Sequence, residues 1–483
     1  MQNIYNTLTR IKEKLKPVCS GHVKMYVCGV TVYDYCHLGH ARIFVNFDIV
    51  QRWLCAQGLN VKYVRNITDI DDKIIFRSQE KKIQLGEITN FYIAAMHADE
   101  QALGVKIPYK EPLATSYIKE MLDIIDKLKA KDIAYQNENG DMNFSIRKFS
   151  NYGKLSGKIL KDLKIGNRVK LVSIDKRDSF DFVLWKRIKN NSIAPEIKWD
   201  SQYGSGRPGW HLECSAMSNA LLGLPLDIHG GGPDLLFPHH ENEIAQSESA
   251  FECSLSNLWM HCGPLMINGQ KMSKSLGNFR TIRQIIGIGN TSEINYQVNM
   301  REAEMLRFFI IRKHYRSILH YSFENLIDAQ NALDKLYQTL KNVDPEICNI
   351  DWCDSQAENF RISMNDDFNT PNAISILFEL ANQANKKNCH KSSGLLKALA
   401  GLLGILQQNP SDYFKIPSRY NQNYKTQKKN ISKKYIEELI VQRLNARKLK
   451  NYNEADRIRK LLQKYGVDLQ DKKDGNTEWQ FIN

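Results

Sequence analysis

The sequence lacks several features that would mark a membrane or secreted protein. No segment reaches the roughly 18 consecutive apolar residues that a membrane-spanning helix needs, and residues 1–17 contain no apolar run typical of a signal peptide. No pair of the ten cysteines has the spacing C-x-x-C, and they do not form the dense framework that small secreted domains use for disulfides. We therefore expect a cytoplasmic protein that has no membrane partner.

Two common nucleotide-binding signatures are also missing. The sequence contains no G-x-x-x-x-G-K-[ST], which disfavours a P-loop kinase or ATPase. A literal G-x-G-x-x-G occurs at Gly204, Gly206 and Gly209, but a polar segment precedes it and Pro208 lies inside it. Because a dinucleotide fingerprint follows a strand and opens a helix, we do not assign dinucleotide binding to these glycines.

The composition predicts a large globular protein. At 483 residues the chain is too long for one ordinary domain, and its 42% of apolar residues suffice for well-packed cores. The formal net charge of +14 is typical of proteins that bind a polyanion such as nucleic acid, although such charge also maintains solubility. Charge alone leaves both explanations open.

Hydrophobic patterns predict an α/β protein whose sheet is interrupted. A strand at Met25–Tyr33, a helix at residues 41–56 and a strand at Val61–Thr68 form the repeating unit of a parallel sheet. Strand character resumes at Leu226–Gly232, and helical spacing dominates from Met300–Leu319 onward. We expect a sheet domain at 1–114 and 201–299, an insertion at 115–200, a helical bundle at 300–419, a linker at 420–434 and a small domain at 435–483.

The tetrapeptide HLGH, residues 37–40, lies where the first strand passes into a helix. Ligands bind at this position in open parallel sheets. The imidazoles of His37 and His40 can donate hydrogen bonds to phosphate oxygens, Gly39 lets a nucleotide approach the backbone, and the helix N-terminus favours negative charge. On its own, the tetrapeptide fits a plain turn with two histidines better than a nucleotide site.

A second motif, KMSKS at residues 271–275, changes that interpretation. Its two lysines, Lys271 and Lys274, can neutralise the charge that develops on a leaving pyrophosphate, whereas alone they would indicate only a solvated loop. HLGH before an insertion and KMSKS after a second half-sheet together resemble class I aminoacyl-tRNA synthetases. The resemblance implies that ATP is bound by His37, Gly39, His40, Lys271 and Lys274, and that the two histidines and two lysines are catalytic.

Longer blocks narrow the resemblance to one family. Each is similar to a block of the cysteinyl-tRNA synthetases, and together they run from about residue 20 towards the C-terminus. HLGH departs from the commoner HIGH by Ile to Leu, which preserves side-chain volume. The blocks are MYVCGVTVYDYCHLGH, NITDIDDKI, GRPGWHLECSAMS, DIHGGGPDLLFPHHENEIAQS, NGQKMSKSLGNF and MNDDFNTP.

The resemblance implies a zinc site with four ligands, Cys28, Cys214, His239 and Glu243. Two thiolates, an imidazole and a carboxylate are all acceptable zinc ligands, and His239 and Glu243 share one face of a predicted helix because they are four residues apart. Without the resemblance, these cysteines could not be chosen from the ten. His240, three residues before Glu243, is nearly as well spaced, so the family pattern alone selects His239.

The resemblance also implies a pocket for the amino acid. Thr68 and Trp210 are expected near the bound substrate, with Gly29 and His229 close by. Trp210 could equally be a core residue. Two further acids are expected to orient either the ribose or the loops, Asp227 and Asp234.

The C-terminal segment, residues 445–480, resembles the anticodon-binding end of the family. Cations, hydrogen-bonding groups and a stacking ring are the groups that read single-stranded RNA loops. A solvated basic helix is the alternative interpretation. The candidate residues are Arg443, Arg447, Asp456, Arg457 and Trp479.

Taken together, the resemblance implies a Rossmann-type catalytic domain split by a connective insertion, then a helical bundle and a small anticodon-binding domain. It implies ATP-dependent activation of L-cysteine to cysteinyl-adenylate and transfer to the 3′-terminal adenosine of tRNA(Cys), by a monomer. One Zn²⁺ would coordinate the substrate thiolate, and Mg²⁺ would accompany ATP. Two alternatives remain: a cysteine ligase of mycothiol synthesis, which lacks the anticodon end, and a non-catalytic zinc-containing RNA-binding paralogue, which would need neither HLGH nor KMSKS.

Overall fold

The computed structural model describes residues 1–158, 176–188, 197–273, 276–287, 298–420, 431–472 and 475–481. The strands of these residues, numbered along the chain, are β1 (Asn3–Asn6), β2 (Ile11–Lys14), β3 (His22–Thr31), β4 (Asn60–Thr68), β5 (Ala134–Gln136), β6 (Met142–Phe144), β7 (Phe182–Arg187), β8 (Gly206–Pro208), β9 (Leu226–Gly231), β10 (Ser256–His261), β11 (Leu265–Ile267), β12 (Gln270–Lys271), β13 (Leu319–Tyr321), β14 (Val467–Asp471) and β15 (Thr477–Phe481).

The α-helices of the same residues are amphipathic or almost wholly buried. Among them, none combines the length and apolarity that a membrane crossing requires. They are α1 (Leu38–Ala56), α2 (Asp72–Lys81), α3 (Leu85–Ala102), α4 (Ile118–Ala130), α5 (Trp210–Leu222), α6 (Glu241–Phe251), α7 (Ile282–Ile285), α8 (Met300–Ile311), α9 (Phe323–Asn342), α10 (Ser355–Asn365), α11 (Thr370–Lys387), α12 (His390–Leu402), α13 (Pro410–Tyr413), α14 (Lys433–Lys448) and α15 (Tyr452–Lys464).

A parallel sheet of β10, β9, β3 and β4, in that order, forms the centre of the N-terminal half. Its strands are rich in β-branched and apolar residues because helices cover both faces. The segment after α3 runs beside β4 as well, since Lys110 and Leu113 make parallel bridges to Val64 and Ile67. The carboxyl ends of all these strands meet at one edge, and this edge carries HLGH and the predicted metal ligands.

The insertion has a different architecture from the sheet that it interrupts. Strands β5 to β8 form an antiparallel sheet between α4 and α5, while residues 159–175 and 189–196 lie outside the described part. The glycines of the G-x-G-x-x-G pattern serve close packing of β8 on β7. A Cβ at Gly206 would lie 2.4 Å from the Trp185 indole nitrogen, and one at Gly209 would lie 2.0 Å from the Val183 carbonyl oxygen.

The structure confirms that the chain is mainly helical from residue 300, but the first helix is shorter than predicted. Helix α8 ends at Ile311, and the predicted extension to Leu319 is wrong. The apolar residues beyond it join a sheet instead, because Leu319 pairs with Leu265 of β11. Buried Arg307 on α8 forms an ion pair with Asp48 of α1 and also donates to the Leu403 carbonyl at 2.8 Å. The bundle is thereby fixed to the helix that HLGH begins.

The C-terminal segment has a core of its own. Helices α14 and α15 pack on the antiparallel pair β14–β15, around Ile436, Ile458, Leu462 and Trp479. Its last strand also touches the helical half, since the Phe481 amide donates to the Phe414 carbonyl at 3.0 Å. Of the predicted linker, residues 421–430 lie outside the described residues.

Candidate active site and metal centre

The HLGH histidines cap the first turn of α1. The backbone amide of His40 donates to Nδ1 of His37, and the amide of His37 donates to Nδ1 of His40, both at 3.3 Å. The two rings stack with centroids 3.6 Å apart. Because both Nδ1 atoms accept, we assign the proton of each neutral ring to Nε2. Burial and the neighbouring His37 lower the pKa of His40 and keep it neutral, so the helix N-terminus presents imidazole N–H donors.

Gly39 is required by this stacked arrangement. A Cβ at this position would lie 2.8 Å from Cε1 of His37 and 3.7 Å from Cε of Met272, the second residue of KMSKS. Glycine therefore lets the two motifs approach each other. The structure confirms that they are neighbours, although the sequence separates them by more than two hundred residues.

Backbone hydrogen bonds join the segment after KMSKS to HLGH. The Leu38 amide donates to the Arg280 carbonyl at 3.1 Å, and the Ile282 amide donates to the Cys36 carbonyl at 2.9 Å. Lys271, at the end of β12, is exposed. Lys274, predicted to be catalytic, and Ser275 lie outside the described residues.

The four predicted metal ligands converge below the carboxyl end of β3. Their ligand atoms all lie within 4.8 Å of one another, and all four side chains are buried. Cys28 Sγ lies 3.5 Å from Cys214 Sγ and 3.2 Å from Glu243 Oε1, and His239 Nε2 lies 2.9 Å from the same oxygen. Strand β3 supplies Cys28 and helix α5 supplies Cys214, while His239 lies in the turn before α6 and Glu243 in α6 itself.

A second set of four ligand atoms shares two of these residues. Cys28 and Glu243 also lie within 4.8 Å of His229 and His240. Nδ1 of His240 is already bonded to His261 Nε2 at 2.8 Å. Proximity alone therefore does not select between His239 and His240 as the metal ligand, and neither did their spacing in the sequence.

Electrostatics separate the two histidines. Burial would lower the pKa of His239, but Glu243 and Cys214 outweigh it and raise that pKa to about 10. Burial likewise would raise the pKa of Cys214, but the Cys28 hydrogen bond and His239 bring it down to about 6. Burial lowers the pKa of His240. Negative charge thus concentrates on Cys214 and Glu243, where a cation would bind.

The predicted pocket residues surround the open side of this cluster. The indole of Trp210 is 41% exposed and lies 4.2 Å, centroid to centroid, from the His239 ring, so Trp210 is not a plain core residue. Thr68 is buried at the carboxyl end of β4 and donates to Glu213 Oε2 at 2.8 Å. At Gly29 a Cβ would lie 1.7 Å from the Asn66 carbonyl oxygen, so glycine is required where the register of β3 and β4 shifts.

Three residues near the pocket were not predicted, because their chemistry alone singles out none of them. The Asn66 carboxamide oxygen accepts from the Gly29 amide at 2.8 Å and lies 3.6 Å from Cys214 Sγ. Glu213 holds Thr68, and His211 Nδ1 lies 2.9 Å from Nδ1 of His239. Their positions follow from neighbours that the sequence did identify: Asn66 is two residues before Thr68, and the other two flank Cys214 and Trp210.

Two of the expected pocket residues occupy other places. His229 is fully buried and its Nε2 lies 2.8 Å from Glu243 Oε2, with the ring stacked on Trp259, so it contacts a predicted ligand and not the open pocket. Asp227 accepts from the Val18 and Lys24 amides at 2.7 Å. It fixes a loop at the amino end of the sheet, which fits the expected role in orienting loops and places it away from the carboxyl edge where a ribose would bind.

The predicted anticodon residues divide into buried and exposed groups. Arg443 is buried and bonded through both Nη atoms to Asp471 at 2.8 Å, and Trp479 lies in the core of the tail. Their packing excludes base contact, so these two expectations are corrected. Arg447, Asp456 and Arg457 are exposed, and Arg447 and Arg457 form ion pairs with Asp471 and Glu454. Tyr452, which the sequence did not single out, is an exposed ring at the start of α15, between Arg447 and Asp456 in the sequence.

Comparison with protein families and curated proteins agrees with this geometry. Residues 14–331 match the family model of the tRNA synthetases class I (C) catalytic domain, and residues 359–408 match the DALR domain. The DALR match falls in the helical bundle. The chain is 57% identical to the cysteine–tRNA ligase of Bordetella avium, over 99% of this chain and 100% of that protein. It is 52% identical to the cysteine–tRNA ligase of Cupriavidus necator, over 99% of each chain.

Solved structures show the same fold at low sequence identity. The methionyl-tRNA synthetase of Mycobacterium tuberculosis in complex with methionyl-adenylate aligns with a TM-score of 0.54 at 12% identity, over 81% of this chain and 91% of that one. The LeuRS–tRNA–LeuAMS ternary complex of Agrobacterium radiobacter K84 aligns with a TM-score of 0.55 at 11% identity, over 83% and 86%. These likenesses concern the fold alone.

Proposed function

We propose, since this chain belongs to the cysteine–tRNA ligase family of class I aminoacyl-tRNA synthetases, that its residues Cys28, Cys214, His239 and Glu243 hold one zinc ion at the cysteine-binding site. The reaction activates L-cysteine with ATP and transfers it to the 3′-terminal adenosine of tRNA(Cys). The convergence of these four buried ligand atoms from three separate chain segments carries the proposal.

The spacing of the ligand atoms supports zinc. Two thiolates bound to tetrahedral zinc at about 2.3 Å lie roughly 3.8 Å apart, and a nitrogen and an oxygen ligand lie roughly 3.3 Å apart. The observed separations are 3.5 Å for Cys28 Sγ and Cys214 Sγ and 2.9 Å for His239 Nε2 and Glu243 Oε1. Small outward shifts of the side chains would therefore admit the ion.

The set with Cys214 and His239 is favoured over the set with His229 and His240. It has two sulfur ligands, and its open side faces partly exposed Trp210, through which a substrate can enter. The other set is closed by buried Trp259 and His261. His229 fits a second role, in which its Nε2 orients the Glu243 carboxylate, as outer-shell partners of metal ligands commonly do.

The thiol of cysteine is the group that the metal would recognise. Held by these side chains, a zinc ion would supply a Lewis acid that binds thiolate far better than the neutral hydroxyl of serine. Thr68, Gly29 and Trp210 would enclose the rest of the amino acid, with Asn66 and Glu213 fixing Thr68. A hydrophobic pocket alone would separate two amino acids that differ by one small group by only about 1–3 kcal/mol of binding free energy.

The HLGH and KMSKS residues would bind ATP and its departing pyrophosphate. His37 and His40 offer N–H donors at the N-terminus of α1, where the helix dipole favours phosphate. Lys271 is exposed at the end of β12, next to Met272, which lies against Gly39. The protein contributes little covalent chemistry, because positioning and charge stabilisation account for most of the catalysis. Mg²⁺ would accompany the ATP.

The tail would bind the anticodon through the exposed residues at the junction of α14 and α15. Tyr452 is 62% exposed, and Arg447, Asp456 and Arg457 lie on the same two helices. An exposed ring flanked by cations and a carboxylate suits unpaired bases. A folded tail and relatives that match along their whole length disfavour the amino-sugar ligase. We also propose that the enzyme acts as a cytoplasmic monomer.

Cysteine-dependent exchange of pyrophosphate into ATP, combined with metal analysis, tests the proposal. We expect one zinc per chain and exchange that requires cysteine but no tRNA. Cys214→Ser should lose zinc or cysteine binding and keep ATP binding. A metal-free protein with full exchange activity would contradict the zinc assignment, and absence of exchange with every preparation would contradict the catalytic role.

A further inference from the structure

A groove beside α2 lies next to the proposed active site but belongs to none of the sites described above. Its cavity has a volume of about 360 Å³. The loop after β3, with Tyr33 and Asp34, forms one wall, and the face of α2 from Asp72 to Glu80 forms the other. Because this loop continues directly into HLGH, the groove opens at the same edge of the parallel sheet as the nucleotide site.

Phe76 is the unusual residue of the groove. Its side chain is 67% exposed, on a helix where Ile74, two residues earlier, is fully buried. Among the described residues, its ring stacks on no other aromatic ring. Exposure of so large an apolar side chain serves no packing purpose, and an exposed ring beside cations is how proteins stack unpaired nucleic-acid bases.

The charges around Phe76 suit a phosphate backbone. Lys73 Nζ lies 5.4 Å from the centroid of the Tyr33 ring and, in the described part of the chain, forms no ion pair. The acids of the groove are mostly neutralised: Asp72 pairs with Arg207 and lies 3.8 Å from Lys186, and Glu80 pairs with Arg77 at 2.6 Å. Asp34 accepts from the Tyr35 amide at 2.9 Å.

The location links the groove to the transfer step. The charge of Lys73, after burial and His37, contributes to the lowered pKa of His40, so the groove and HLGH are close. Arg207 belongs to β8, and Trp210 follows it by three residues. The groove therefore lies beside the place where the terminal adenosine would bind.

We propose that Phe76, with Tyr33 and Lys73, forms a stacking site for an unpaired base of the tRNA 3′ end, upstream of the terminal adenosine. This inference rests on the proposed function. Phe76 is a positioning residue, because it would hold the strand while the terminal hydroxyl reaches the aminoacyl group. Stacking alone would make the site tolerant of base identity, since every base offers a flat face.

Steady-state charging of tRNA by Phe76→Ala tests the proposal. One stacked base contributes about 1–3 kcal/mol, so kcat/KM for tRNA should fall about 5- to 150-fold. Cysteine-dependent pyrophosphate exchange, which needs no tRNA, should keep its wild-type rate. Phe76→Trp should restore charging. Tyr109→Ala is the matched control, because Tyr109 is also an exposed ring, 54% accessible, with Lys62 at 5.8 Å, but lies towards the amino end of the sheet.

A fluorescence measurement separates stacking from a structural role. With 2-aminopurine in the unpaired 3′ segment, binding to the wild type and to Phe76→Trp should quench the probe, and binding to Phe76→Ala should not. Charging by Phe76→Ala within twofold of the wild type would overturn the proposal and leave the groove to a protein partner. A loss of pyrophosphate exchange in Phe76→Ala as large as its loss of tRNA charging would also overturn the proposal. Failure of the proposed function would give a different result, because the wild type itself would then show neither pyrophosphate exchange nor tRNA charging.

Discussion

His229 offers the sharpest test of how the metal centre is built. Its Nε2 lies 2.8 Å from Glu243 Oε2, its Nδ1 has no partner among the described residues, and its ring stacks on Trp259 at a centroid distance of 4.4 Å. His229→Phe would keep the stacked ring and remove only the donor to Glu243. A hydrogen bond to a charged group contributes about 1.5–3 kcal/mol, which predicts a loss of zinc affinity of about 10- to 150-fold.

The affinity would be measured by competition with a chromophoric chelator. His261→Phe is the control, because His261 is also buried and bonds to His240 and Thr7 but forms no hydrogen bond or ion pair with Glu243. It should change zinc affinity less than threefold. Unchanged affinity in His229→Phe would refute the outer-shell role. Complete loss of zinc in that variant, with zinc retained by Cys214→Ser, would instead assign the ion to the set with His229 and His240.

Three further predictions concern the loop, the tail and pH. Lys274→Ala should slow pyrophosphate exchange by about 10²- to 10³-fold with little change in cysteine affinity, and a normal rate would reduce KMSKS to a solvated loop. Trp479→Ala should destabilise the tail by about 3–5 kcal/mol in thermal unfolding, whereas Tyr452→Ala should leave unfolding unchanged and lower tRNA charging; the reverse pattern would restore Trp479 as a reader. The hydrogen bond with Glu111 raises the pKa of His97 above its ordinary 6.5, so its stabilising contribution is complete below pH 6.5 and disappears as pH rises through the raised pKa. Unfolding temperatures of wild type and His97→Asn should therefore differ at pH 6 and converge at high pH, and a constant difference would contradict this.

Much of the fold followed from local patterns. The strand at β3, the helix after HLGH and the strand at β4 were predicted within a few residues, because buried parallel strands are continuously apolar and α1 has apolar residues at helical spacing. The end of α8 was predicted wrongly, since Leu319 fits helical spacing but pairs in parallel with Leu265 of β11. Sequence spacing cannot report such a long-range pairing.

The site, like the fold, has features that local sequence patterns indicate and others that only the tertiary structure decides. Cys28 and Cys214 could be chosen from ten cysteines only through the resemblance, since 186 positions separate them and only the fold brings their sulfurs to 3.5 Å. Arg443 and Trp479 have the chemistry of RNA readers, yet they are buried within the tail. Residue type indicates what a side chain can do, whereas tertiary packing decides whether a ligand can reach it.

The central claim is that substrate cysteine binds the metal held by Cys28, Cys214, His239 and Glu243. Replacing zinc with cobalt gives a metal whose absorption reports sulfur ligands directly. Addition of L-cysteine to the cobalt enzyme should increase and shift the thiolate-to-cobalt absorption, and L-serine at the same concentration should leave the spectrum unchanged. An unchanged spectrum at a cysteine concentration that saturates pyrophosphate exchange would contradict the claim and leave the discrimination to the pocket around Thr68 and Trp210.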